Sequence, residues 1–185
     1  MKQISKLLLI SIFVMPVMTC AEPVAQTQPA VAVESSVVAI AAPTELLRNG
    51  KAPFDGILTG GQPTADQFET LAGLGYKTIV NMRGTQESGS TKPADVESLG
   101  MTYVSFPITG APDVSEENAR KLAEILEANE HPVVVHCASG NRVGALFALK
   151  AFYVDGETPQ EALAIGQAAG VTRLEPVVKQ QLGLE

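Results

Sequence analysis

The 185-residue chain has no tryptophan, only two cysteines and two histidines, and an aromatic content of 5%. Its histidines, His131 and His136, and its cysteines, Cys20 and Cys137, form no set at metal-ligand spacing, so no metal is expected. Basic residues are scarce as well, with 13 Lys and Arg against 20 Asp and Glu, a net charge of −7. An acidic chain without a basic stripe is excluded as a nucleic-acid binder and as a ligand of anionic membrane surfaces. The glycines of "GILTGGQPT" come with no Walker lysine and no dinucleotide spacing, so no nucleotide cofactor is implied. The one long apolar run, "LLLISIFVMPVM", is too short for a membrane span and is interrupted by Pro16.

That run has Lys2 and Lys6 before it and the small residues Thr19 and Ala21 after it, the layout of a secretory signal over residues 1–21. Cleavage after Ala21 and export to the periplasm are expected. A lipid anchor on Cys20 is the less favoured alternative, because Thr19 stands where a smaller residue is expected. Cleavage removes two lysines and no acid, which deepens the net charge to −9 and leaves Cys137 as the sole cysteine. No intramolecular disulfide is then possible. A single thiol in an oxidising compartment is either a buried, inert packing residue or a reactive group.

Residues 22–43, rich in Ala, Val, Pro, Ser and Gln, read as a flexible tether, in which "VVAIAA" offers at most an edge strand. Residues 44–185 read as one domain. "GILTGGQP" predicts a strand ending in glycines. Thr64 and Gln67 form a capping-box pattern before a helix carrying Phe68, Leu71 and Leu74, which Gly75 stops. "KTIVNMR" and "PVVVHC" are buried-type strands, "MTYVSFPI" is a third strand, and "PADVESLG" is a short helix. Ser115 caps a helix with Glu116 and Glu117 in its first turn and Leu122, Ile125 and Leu126 on its apolar stripe. "RVGALFALKAFYV" is a central helix. Thr158, Pro159 and Glu161 start another, and Thr172 with Glu175 and Pro176 start the last. Alternating strands and helices predict an α/β fold: a mostly parallel central sheet with helices on both faces. Ligands of such sheets bind beyond the carboxyl ends of the strands, where Cys137 falls.

The stretch "VVVHCASGNRVGA" concentrates the chemistry. Ala138, Ser139, Gly140 and Asn141 form a short loop between a buried strand and a helix start. Backbone N–H groups in such a loop can form an anion nest, and the helix adds its positive end. A thiol held there is expected to act as a thiolate nucleophile. Arg142 supplies a planar fork for two oxygens of a tetrahedral oxyanion. Together these groups are equipped to attack phosphorus, or the sulfur of a sulfur oxyanion.

"HCASGNR" resembles the active-site loop of cysteine-dependent protein phosphatases, the tyrosine and dual-specificity families. "LTGGQPTADQFETLAGLGYKTIVNMRG", with Glu87 beyond it, is similar to the bacterial phosphatase-like domain named for its occurrence beside beta-lactamase-like hydrolases. The resemblance covers about residues 54–155. It implies a dual-specificity-phosphatase-like fold and hydrolysis of a phosphorylated protein or small phosphomonoester through a phosphocysteine on Cys137. Arg142 and the loop from Ala138 to Val143 would bind the phosphoryl oxygens, and His136 would orient the loop. It also implies a general acid on a loop upstream. Asp113, 24 positions before Cys137, is the candidate, with turn formation beside Pro112 as its other reading. Arg83 is expected to pair with Glu87 or to line the pocket, and His131 to lie at the surface. The sequence departs from the phosphatase pattern twice. Four residues, not five, separate Cys137 from Arg142, and Val143 replaces the Ser or Thr whose hydroxyl helps the thiolate leave. The shorter loop also resembles that of some rhodanese-type sulfurtransferases, whose cysteine carries a persulfide. A sulfurtransferase and a catalytically weak oxyanion-binding module therefore stand as alternatives to a phosphatase.

Overall fold

The computed structural model describes residues 43–184; the expected signal segment 1–21 and nearly all of the tether, including "VVAIAA", lie outside the described residues. Three short apolar segments build the centre: β2 (Ile57–Gly60), β3 (Thr78–Asn81) and β5 (Val133–His136). All three are buried along their whole length, as strands covered on both faces must be. With β1 (Lys51–Phe54) and β4 (Thr102–Ser105) they form a five-stranded sheet in the order β1-β2-β5-β3-β4. All neighbours are parallel except β1 and β2, which form an antiparallel hairpin.

Strand alternation divides the core in two. Ile57, Val80, Val133 and Val135 face α3 (Glu116–Ala128) and α4 (Asn141–Tyr153), meeting Leu122, Leu126, Leu146 and Phe147. Leu58, Ile79 and Val134 face α1 (Ala65–Gly73) and α2 (Pro93–Glu97), meeting Phe68, Leu71 and Val96. The chain steps outward from β2 through β3 to β4 with α1 and α2 on one face. It then returns through α3 on the other face to lay β5 between β2 and β3. Right-handed crossovers require this change of face when the direction of travel reverses. The reversal opens a crevice at the carboxyl ends of the central strands.

The last two helices, α5 (Pro159–Ala168) and α6 (Glu175–Leu182), pack on α4 through Ala145, Ala148, Leu149, Ala162, Val178 and Leu182. Gly144 makes the approach possible, since a Cβ there would lie 2.0 Å from the Val171 nitrogen. No helix among the described residues is long and apolar enough to cross a membrane.

The caps at Thr64, Ser115 and Thr158 form as their sequence patterns predict, the first and last as complete capping boxes. Two local expectations fail. β1 carries no alternating pattern and contains Pro53; it exists because β2 offers it an edge. Thr172 does not cap α6, whose N-cap is Leu174. The Thr172 N–H and hydroxyl both donate to the Asn141 side-chain oxygen, at 2.8 and 3.1 Å, which draws the threonine toward α4.

Candidate active site

β5 ends at His136, and the Cys137 N–H then makes one last ladder bond, to the Gly60 carbonyl at 3.2 Å. The next residues turn sharply. Gly140 sits in the left-handed region at φ +86°, a conformation that disfavours any side chain, and serves as N-cap of α4. This turn brings the Gly140 N–H back onto Cys137, where it donates to Sγ at 3.2 Å. Cys137 is almost wholly buried, at 1% exposure, among Val143, Met82 and Ile108. Its sulfur therefore lies under the start of α4, where the first N–H groups of the helix, those of Asn141, Arg142 and Val143, have no carbonyl within the helix to bond.

Arg142 is held by two contacts from elsewhere in the chain. Its Nη1 and Nη2 donate to the two carboxylate oxygens of Glu87 at 2.6 and 2.9 Å, and Nη1 also donates to the Ile108 carbonyl at 2.6 Å. Glu87 is a hub. It accepts from Arg83 Nε at 3.1 Å and from the Gly84 N–H at 2.9 Å. The Arg142 hydrogen bond is the main reason that the Glu87 carboxyl is held down at about 2. Reciprocally, Glu87 first, and Cys137 after it, raise Arg142 above the usual guanidinium range. Arg83 also donates to the Ser88 carbonyl at 2.7 Å and to the Gln62 side-chain oxygen, so it acts as a brace of the 84–89 loop.

His136 lies across the sheet from Cys137, fully buried, its ring edge-on to Phe68 at 6.3 Å. Its Nδ1 is 3.5 Å from the Cys137 carbonyl oxygen, and among the described residues its Nε2 has no partner. Burial is the principal cause that depresses its pKa to about 4, so the ring is uncharged at neutral pH. Asp113 occupies a short 3-10 turn, Ala111–Asp113. One of its carboxylate oxygens accepts from the Thr109 N–H at 2.5 Å and from the Thr109 hydroxyl at 2.6 Å, which lowers its pKa. His131 is exposed, as expected.

A pocket of about 730 Å³ opens beside Arg142. Its walls include Glu87, Thr109 and Gly110 on one side and Asn141, Arg173 and Leu174 on the other. The structure thus brings Cys137, Gly140, Arg142 and Arg83 around one hub, while Asp113 sits behind the pocket wall formed by Thr109 and Gly110. Sequence reasoning saw Glu87 as a partner of Arg83 but missed its grip on Arg142, from which it is separated by 55 positions. It also missed Arg173. Neither has a local signal, because strand order alone places the 84–89 loop and the α5–α6 loop at the same end of the sheet.

A parallel sheet with a thiol, a left-handed glycine and an arginine in sequence at the switch point defines the class of tyrosine and dual-specificity phosphatase folds. A family model described as "DSP-PTPase phosphatase fused to NAD+ Kinase" matches residues 47–178, and the chain belongs to that family. It is 31% identical over 116 residues to the beta-lactamase hydrolase-like protein of Xylella fastidiosa (strain Temecula1 / ATCC 700964), covering 60% of this chain and 26% of the relative. The chain therefore spans about a quarter of the length of the curated relatives it matches. A candidate phosphatase from Neisseria meningitidis superimposes with a TM-score of 0.61 at 25% identity, covering 73% of this chain and 97% of that one. P. aeruginosa TpbA shares the fold, with a TM-score of 0.56 at 23% identity over 71% of this chain and 80% of that one.

Proposed function

We propose that this chain is a cysteine-dependent phosphatase that hydrolyses phosphomonoesters, on protein or on a small molecule, in two steps through Cys137. The observation that carries the reading is the Gly140 N–H held 3.2 Å from Cys137 Sγ at the N-terminus of the helix whose second residue is Arg142. An N–H donor and a helix N-terminus favour the sulfur as thiolate, and the same N-terminus favours the phosphoryl oxygens in front of it. In the first step Sγ bonds to phosphorus as the ester oxygen departs and takes up a proton. In the second, water attacks phosphorus, the S–P bond breaks, and orthophosphate and the thiolate are released. Arg142, braced by Glu87, would face the charge that develops on the transferred group. Asp113 is the proposed donor of the proton, a role that requires its carboxylate to leave Thr109 and bind a proton during the cycle.

Val143 offers no hydroxyl to the departing thiolate, so the second step is the slow one. Phosphotyrosine is a reasonable first substrate, since TpbA has been crystallised with it. The expected result is a burst of product from p-nitrophenyl phosphate or a phosphotyrosine peptide, followed by slow turnover, with both abolished in Cys137→Ser. Absence of turnover on both substrates, or activity unchanged by Cys137→Ser, overturns the proposal. Addition of one sulfur to Cys137 from thiosulfate, seen by mass spectrometry, would point to sulfur transfer instead. Periplasmic export through residues 1–21 belongs to the same proposal and is tested by cell fractionation of the full chain.

A further inference from the structure

The pocket beside Arg142 is much larger than one phosphoryl group needs, and it carries a second cation. At about 730 Å³ it falls in the range of sites for whole small molecules. Its charged lining residues are Glu87, Arg142 and Arg173. Glu87 is committed to Arg142 and Arg83 through both of its oxygens. Arg173 is exposed and, among the described residues, makes no side-chain hydrogen bond or ion pair.

The backbone beneath Arg173 is nevertheless fixed. Its two neighbours donate to one atom, the Asn141 side-chain oxygen: Thr172 through its N–H at 2.8 Å and its hydroxyl at 3.1 Å, and Leu174 through its N–H at 3.2 Å. Asn141 is 8% exposed and precedes Arg142 in the first turn of α4. One buried amide thus ties the loop bearing Arg173 to the helix turn bearing Arg142. A solvent-exposed arginine with no binding role would need no such anchor. Held there, it gives the pocket a second positive pole, in a chain whose net charge is −7.

We infer that Arg173 is a specificity-determining residue that binds a second anionic group of the substrate, so that the preferred substrates carry a phosphate or carboxylate beside the reacting phosphoryl group. The inference rests on the phosphatase reading of the same pocket. A planar guanidinium grips such a group through two parallel N–H bonds, whereas a neutral aglycone leaves it unused.

The test uses two non-hydrolysable probes that differ by one anionic group, methylphosphonate and methylenediphosphonate, titrated calorimetrically into the full chain. The wild type should bind the diphosphonate about tenfold more tightly, or about 1.4 kcal/mol. Arg173→Gln should lose that preference while its affinity for methylphosphonate stays unchanged, and Arg173→Lys should keep part of it. An equal preference in wild type and Arg173→Gln, or no preference in the wild type, overturns the inference. Methylphosphonate binding that is lost in Arg142→Lys leaves the phosphatase reading standing in either event. Failure of the wild type to bind either probe overturns both.

Discussion

The Glu87 hub makes the sharpest prediction. Its carboxylate accepts from Arg142 at 2.6 and 2.9 Å, from Arg83 at 3.1 Å and from the Gly84 N–H at 2.9 Å. Glu87→Gln keeps the shape and removes the charge, leaving two guanidinium groups side by side. The fall of the Glu87 pKa from 4.5 to about 2 measures the preference of the folded protein for the ionised form. At about 1.4 kcal/mol per pH unit this corresponds to about 3 kcal/mol. Solvent reaching a side chain that is 31% exposed reduces it to about 2 kcal/mol. Because the folded-state pKa is depressed, the stabilisation is complete above pH 4.5 and is lost as pH falls toward 2. Urea denaturation of wild type and Glu87→Gln should therefore differ by about 2 kcal/mol at pH 7, with the difference closing below pH 4.5. A difference under about 0.5 kcal/mol at pH 7, or one that stays constant down to pH 2.5, would refute the hub as an electrostatic device.

Two further outcomes follow from the packing around the site. His136, buried with its pKa near 4 instead of 6.5, binds fewer protons folded than unfolded across that interval. Its contribution is therefore complete above pH 6.5 and lost by pH 4, about 3 kcal/mol, and His136→Asn should flatten that part of the stability-pH profile; an unchanged slope would count against a buried neutral ring. Gly144→Ala should cost about 3 kcal/mol in thermal unfolding, because its Cβ would lie 2.0 Å from the Val171 nitrogen and 2.6 Å from the Gly170 carbonyl carbon, both backbone atoms that cannot rotate away. A melting temperature equal to wild type would show that α4 and the segment after α5 are not in the contact described.

Local chemistry was readable wherever its cause was local. The capping boxes at Thr64 and Thr158 predicted the starts of α1 and α5 because a hydroxyl and a carboxylate or amide three residues apart satisfy each other's neighbours. The uninterrupted Val133–Val135 run predicted a strand buried on both faces, and the glycine after Ser139 predicted the left-handed turn into α4. Thr172 failed by the same standard: its threonine-to-glutamate spacing is sound, but Asn141, 31 positions earlier, competes for its donors and wins.

The amino-acid sequence by itself determined the α/β pattern and the Cys137–Arg142 loop, because strand and helix periods, caps and a strand–loop–helix cradle depend on neighbours in the chain. Only the tertiary structure decided what that loop works with. The return of β5 between β2 and β3 carries Arg142 to Glu87, separates Asp113 from the pocket by the Thr109 and Gly110 wall, and lets Asn141 pin the loop of Arg173. Those meetings depend on strand order and helix packing over tens of residues, and no residue involved carries a local mark of its eventual partner.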